Sequence, residues 1–170
     1  MNILLLQGPL GPFYQTLSQH LVAAGYRVIK VYFNGGDACW PCAGEPVHYR
    51  GTASEWSPFF EQLLQQYAVD TVLCYGDCRY YHRLAGQICQ RKQLPFWVME
   101  EGYLRPHFVT LEQGGANAFS PLYPQRAKLA QWQWPVAAPA PTKIGKTFAA
   151  RAWFASRYHI NKALAQWRYP

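Results

Sequence analysis

The feature that most constrains this chain is an alternation: apolar runs of strand length, each followed by apolar residues at helical spacing. Residues 2–7 (Asn-Ile-Leu-Leu-Leu-Gln) form a buried-strand run. Gly8-Pro9-Leu10-Gly11-Pro12 makes a turn. Phe13, Leu17, Leu21 and Ala24 then share one helix face up to Gly25, a residue type that ends helices. Residues 27–33 hold the next β-rich run. Residues 34–53 read as a long loop carrying Asn34-Gly35-Gly36-Asp37 and Cys39-Trp40-Pro41-Cys42. Ser54 reads as the N-cap of a second helix, with the stripe Trp56, Phe59, Phe60, Leu63 and Tyr67. Residues 71–75 are a third strand, 79–92 a third helix and 96–99 a fourth strand.

Strands alternating with helices predict an α/β fold, a Rossmann-like and mainly parallel sheet with helices on both faces. Ligands bind such sheets at the C-terminal ends of the strands. The polar clusters fall there: Gln7-Gly8-Pro9, Asn34 to Asp37, Gly76-Asp77 and Glu100-Glu101-Gly102. Half of the residues are apolar and 16% are aromatic, which suits a packed core and excludes a disordered chain. No run approaches the roughly 20 apolar residues of a spanning helix. The opening residues lack the basic region of a secretory signal, so a cytoplasmic location is expected. Without an export signal, the five cysteines are not read as a disulfide framework.

The net charge of +7 is unevenly placed. Residues 1–112 carry eight Lys/Arg against nine Asp/Glu, a net of −1, whereas residues 113–170 carry eight Lys/Arg and no acid, a net of +8. An acidic partner is therefore expected at the tail, such as an anionic lipid surface or a phosphate-bearing substrate. Residues 1–125 are expected to form the Rossmann-like domain, 126–143 a Pro/Ala-rich linker, and 144–170 a basic amphipathic helix leading to a C-terminal domain absent from this chain. On that helix Ala149, Trp153, Ser156, Ile160, Leu164 and Trp167 share a face. That face suits either an anionic membrane or the absent domain. Nucleic-acid binding is not expected, because the aromatics follow no base-reading motif.

Several constellations carry chemistry. Glu100-Glu101-Gly102-Tyr103-Leu104-Arg105-Pro106 follows a buried strand. Adjacent carboxylates can divide roles there, one held by hydrogen bonds and one facing a sugar as base, stabiliser or nucleophile. Tyr103 and Arg105 are candidate substrate contacts, Arg105 for a carboxylate or phosphate. In Gly76-Asp77-Cys78-Arg79-Tyr80-Tyr81-His82, Asp77 is placed to cap a helix, and Arg79 and His82 face the same side. His82 suits phosphate binding or proton transfer; the alternative is a surface histidine. The Gln7-Gly8 turn lets backbone amides approach an anionic or polyhydroxylated ligand, though it lacks the dinucleotide and P-loop fingerprints. Cys39-Trp40-Pro41-Cys42 has no second ligand pair at zinc spacing and lies in a loop, so no metal or redox use is expected.

The order of these motifs is more informative than any one. Leu-Leu-Gln-Gly-Pro-Leu-Gly-Pro-Phe, Phe33 to Asp37, Tyr49-Arg50-Gly51, Gly76 to His82, Glu100 to Pro106 and Gly115-Ala116-Asn117 occur in sequence. Across residues 1–125 this strongly resembles the capsular polysaccharide biosynthesis proteins of the KpsS/LipB type. The resemblance implies the N-terminal half of a two-domain GT-B enzyme, a retaining β-Kdo glycosyltransferase. It implies CMP-Kdo as donor substrate, with no other cofactor, and phosphatidylglycerol as lipid acceptor at the inner membrane surface. A KpsC-type transferase and the capsule export complex are the implied partners. Carried over residue by residue, the second carboxylate, Glu101, is the implied catalytic nucleophile and Glu100 orients it. Asp77, Arg79 and His82 are implied to line the same cleft, with Gln7, Gly8 and Asn34 on the acceptor side. Such proteins are about twice this length, so activity is expected to need the second half. The alternative is a non-catalytic domain that binds a partner or the membrane through its basic tail.

Overall fold

A computed structural model describes residues 1–102, 108–129, 131 and 147–169. Five parallel strands and one antiparallel strand form a single sheet in the order β3-β2-β1-β4-β5-β6. The strands are β1 (Asn2–Leu5), β2 (Arg27–Tyr32), β3 (Glu45–His48), β4 (Thr71–Tyr75), β5 (Phe96–Glu101) and β6 (Val109–Gln113). Helices α1 (Phe13–Ala23), α2 (Trp56–Gln66) and α3 (Tyr80–Arg91) connect them. A short α4 (Arg126–Leu129) opens the segment read as a linker, most of which lies outside the described residues, and α5 (Phe148–Leu164) follows.

Strand alternation sorts the core into two layers, as the sequence pattern predicts. Leu4, Leu6, Ile29, Val31, Val72, Cys74, Phe96 and Val98 face α2 and α3. Ile3, Leu5, Val28 and Met99 face α1 through Tyr14, with Phe13, Leu17 and Leu21 packed beside it. Trp56 is fully buried and its Nε1–H donates to the Tyr81 carbonyl at 2.9 Å, tying α2 to α3. Lys30 is also buried, on the α1 side. Its Nζ donates to the carbonyls of Leu6 (2.6 Å) and Val31 (2.8 Å), lies near the Tyr14 and Tyr32 rings, and so joins the ends of β1 and β2. Burial pushes its amine pKa down.

The structure corrects the sequence reading at four places. The loop 34–53 contains a strand, β3, which pairs in parallel with β2 from Ile29↔Glu45 to Tyr32↔His48. It is short, lies at the sheet edge and contains Pro46, which an edge strand tolerates. Ser54 does not cap the second helix. A short helical turn, Ala53–Glu55, precedes α2, and Thr52 caps it in a reciprocal capping box with Glu55. Strand β5 runs two residues beyond Met99, because β6 pairs with it (Glu100↔Thr110, Glu101↔Val109). Finally, Asp77 does not cap α3: its Oδ2 accepts from the Ala116 N–H at 3.0 Å.

Candidate functional site at the sheet switch point

The strand order reverses between β1 and β4, and in open α/β sheets the crevice beyond the carboxyl ends of such strands takes ligands. Gln7 follows β1 and Gly76 follows β4 at this point. His82, buried in the first turn of α3, bridges them. Its Nδ1–H donates to the Gly76 carbonyl at 2.5 Å, and its Nε2 accepts from the Gln7 N–H at 3.2 Å. Burial drives the imidazole pKa down to about 3, so the ring is neutral at physiological pH. His82 is therefore no surface histidine. Both of its nitrogens are held by backbone, and it fixes the geometry of the crevice.

Gln7 is the hub. Its Oε1 accepts from Arg79 Nη1 (2.7 Å), and its Nε2 donates to Asp37 Oδ1 (2.7 Å) and the Tyr158 hydroxyl (2.9 Å). Arg79 Nη1 also reaches the Gly8 carbonyl at 3.4 Å. Asn34 Nδ2 donates to the same Tyr158 hydroxyl at 2.8 Å. Asp37 accepts the Phe33 N–H at 2.9 Å and closes the ring. Sequence reasoning noticed Asp37 within its cluster but gave it no role. Tyr158 was missed altogether, because nothing local marks a tail tyrosine as a partner of residues 7, 34 and 37.

Tyr158 arrives on α5, which lies across the glycine-rich turns. A Cβ on Gly11 would come within 2.9 Å of the Phe154 ring, one on Gly36 within 2.7 Å of the Tyr158 ring, and one on Gly35 within 2.5 Å of the Asn161 carbonyl. These glycines thus seat a helix at close range. Cys39 lies under the same helix, accepted by the Arg157 carbonyl at 3.5 Å. Cys39 and Cys42 are unpaired, and burial raises both thiol pKa values, which suits inert thiols. Among the described residues, no group of three or more His, Cys, Asp or Glu is disposed to hold a metal ion.

The two carboxylates at the end of β5 point to opposite faces, as successive strand residues must. Glu100 is half-buried on the α3 side, where its Oε1 lies 3.3 Å from the position of a Cβ on Gly76. Gly76 has φ +78°, a conformation open to glycine. Glu101 is exposed on the α1 side, with Arg151 Nη2 of α5 at 3.8 Å. The structure therefore brings Gln7, Gly8, Arg79 and His82 into direct contact and joins Asn34 through Tyr158. It separates Glu101 from Glu100, and it places Asp77 together with His82 on the lining of a cavity of about 630 Å³ between α3 and the β5–β6 hairpin. Tyr103 and Arg105 lie outside the described residues.

The profile of the family described as capsule polysaccharide biosynthesis protein matches residues 70–170, which include Asp77, His82, both carboxylates and α5. The chain belongs to this family. It is 39% identical to the capsule polysaccharide modification protein LipB of Neisseria meningitidis serogroup B, over 99% of this chain and 42% of LipB. It is 43% identical to the capsule polysaccharide export protein KpsS of Escherichia coli, over 70% of this chain and 31% of KpsS. The capsule protein thus spans less than half the length of the curated relatives it matches. Among solved structures, the UDP-GlcNAc 2-epimerase of Methanocaldococcus jannaschii overlays on 62% of this chain and 32% of its own, at 13% identity and a TM-score of 0.40.

Proposed function

We propose that this capsule protein transfers Kdo from CMP-Kdo to phosphatidylglycerol with retention of configuration, as the N-terminal domain of a GT-B-type transferase. The supporting observation is the pair of carboxylates at the carboxyl end of β5, beside the switch-point crevice, in a chain of this family. Glu101 attacks the anomeric carbon of the sugar and CMP departs, which leaves a glycosyl ester on the enzyme. A hydroxyl of the lipid glycerol then displaces Glu101 from the opposite side and gives up its proton to a base. Two displacements restore the original configuration. Glu100, on the other face of the strand, does not share a proton with Glu101 directly. Its part is to balance charge beside Gly76. A second domain completes the donor site.

The test is transfer of Kdo from CMP-Kdo, generated in situ, to a fluorescent phosphatidylglycerol. The chain alone is compared with the chain extended to the length of its relatives. Product from the extended protein supports the reading, and no product from either overturns it.

A second reading rests on α5. Its outward stripe is exposed and apolar: Trp153 62%, Ile160 58%, Leu164 71% and Trp167 79% exposed. Arg151, Lys162 and Arg168 lie on the same helix or just beyond it. An exposed apolar stripe flanked by cations suits an anionic membrane surface. Among the described residues no helix is long and apolar enough to cross a membrane. Salt-sensitive binding to anionic vesicles without sugar transfer would favour a membrane-binding scaffold.

A further inference from the structure

Helix α5 lies across the carboxyl ends of the sheet with a single face. Arg151, Phe154, Tyr158, Asn161 and Ala165 recur at steps of three and four residues, the spacing of one helix stripe. Each meets a group at the ligand end. Arg151 faces Glu101 at the end of β5. Phe154 covers Gly11 after β1. Tyr158 sits between Gln7, Asn34 and Asp37, after β1 and β2. Asn161 and Ala165 press on Gly35. Just beyond the helix, the Tyr169 hydroxyl is hydrogen-bonded to His48 Nδ1 of β3 at 2.6 Å. Gln7, Asn34, Asp37 and Glu101, which a ligand would meet at this end, are therefore engaged by the chain itself.

The seat of α5 differs from the core beneath it. None of residues 148–164 is buried, whereas Leu4, Ile29, Val72 and Val98 of the strands are fully buried. The apolar anchor of α5 is Phe154, edge-on to Trp40 at 5.6 Å between ring centroids. Other contacts are polar: the Tyr158 hydroxyl, and Arg157 Nη2 donating to the Cys39 carbonyl at 3.1 Å. The exposed Arg151–Glu101 pair, at 3.8 Å, contributes little to stability. An element held by few buried apolar contacts opens at a lower free energy than a buried core, and it opens as a unit.

We propose that α5 is an autoinhibitory strap. It occupies the crevice in place of a ligand and opens as a unit while the sheet stays folded, and its opening uncovers Gln7, Asn34, Asp37 and Glu101. In taking those groups to be the reacting site it rests on the transferase reading; the opening itself does not depend on that reading.

Labelling of the native cysteines in the full 170-residue chain measures this opening, with iodoacetamide as the probe and peptide mass spectrometry as the readout. Cys78 is exposed, Cys39 is buried under α5 with its thiol against the Arg157 carbonyl, and Cys74 and Cys89 are buried in the core. When reclosing outruns labelling, each rate reports an opening equilibrium. Cys78 should label fastest, Cys39 next, and Cys74 and Cys89 slowest. Urea should speed Cys39 less steeply than Cys74, because opening α5 exposes less surface than unfolding the sheet. Tyr158→Phe should speed Cys39 about tenfold, the order of one or two lost hydrogen bonds. Gly35→Ala keeps the hydroxyl and should act likewise, through its clash with Asn161 and Ala165. Phe60→Leu, in the core under α2, weakens the sheet whether α5 is open or closed. It should speed Cys74 and Cys89 and leave Cys39 unchanged. Cys39 labelling at the rate and urea dependence of Cys74, or indifferent to both Tyr158→Phe and Gly35→Ala, would overturn the strap. In the extended protein, Tyr158→Phe should lower the apparent KM for fluorescent phosphatidylglycerol, since more of the protein is open. An unchanged or higher KM, with Cys39 labelling faster, would overturn the exclusion of ligand by α5. Opening of α5 in a protein that transfers no Kdo would uphold the strap and remove the transferase reading.

Discussion

At the scale of single residues, His82 is held neutral by burial at the junction of β1 and β4. Its pKa falls from 6.5 to about 3 on folding. Between these values the unfolded chain binds a proton that the folded chain refuses. The stabilisation is therefore complete above pH 6.5 and is lost as pH falls toward 3, by about 1.4 kcal/mol per pH unit. Urea unfolding at pH 7 and pH 5 should show a steeper loss for the native protein than for His82→Gln, which cannot titrate; equal losses would contradict this. Gly35 makes a second residue-scale case. A methyl group there meets the Asn161 carbonyl and Ala165 on α5, so Gly35→Ala should cost about 1–3 kcal/mol by overpacking. Faster hydrogen exchange along α5, with little change in α2, would show it. The motif Gly76 to His82 was legible as a strand-to-helix connection, because it follows an apolar run and opens a helical one. The division of labour within it was not, because burial and partners from residues 7 and 116 decide each role.

At the scale of elements, α5 matters most. The sequence reading found one apolar face, Trp153 to Trp167, and that face is real but points outward. The docking face uses Phe154, Tyr158, Asn161 and Ala165, whose mixed polarity gives a weak periodic signal. Tyr158→Phe removes the hydroxyl shared by Gln7, Asn34 and Asp37 and should cost about 1–3 kcal/mol, read as a lower Tm and loosened α5. The parallel strands β1 and β4 were readable because buried strands form nearly unbroken apolar runs, and β2 because only Lys30 interrupts its run from Val28 to Tyr32. Strands β3 and β6 were not: both are short, lie at the sheet edges and alternate in exposure. The cap of α2 was present in the sequence as Thr52-Ala53-Ser54-Glu55, a capping box read two residues late. Thr52→Ala should therefore destabilise by about 0.5–2 kcal/mol in urea unfolding, more than Ser54→Ala.

At the scale of the whole molecule, two features meet at one end of the sheet: the β5 carboxylates and α5, which reaches Gln7 through Tyr158 and Glu101 through Arg151. The charge asymmetry visible in the sequence becomes a spatial one, since the near-neutral sheet domain meets a strongly basic helix at its ligand end. The transfer proposed above, from a sugar donor to a lipid acceptor, draws on that arrangement. The measurement that bears most directly on this account is Kdo transfer to fluorescent phosphatidylglycerol by the chain extended to the length of its relatives, comparing native protein with Glu101→Gln. Glu101 is exposed, so the substitution should leave folding intact, and transfer should be abolished. Normal turnover by the folded Glu101→Gln variant would contradict the assignment of Glu101 and the mechanism built on it.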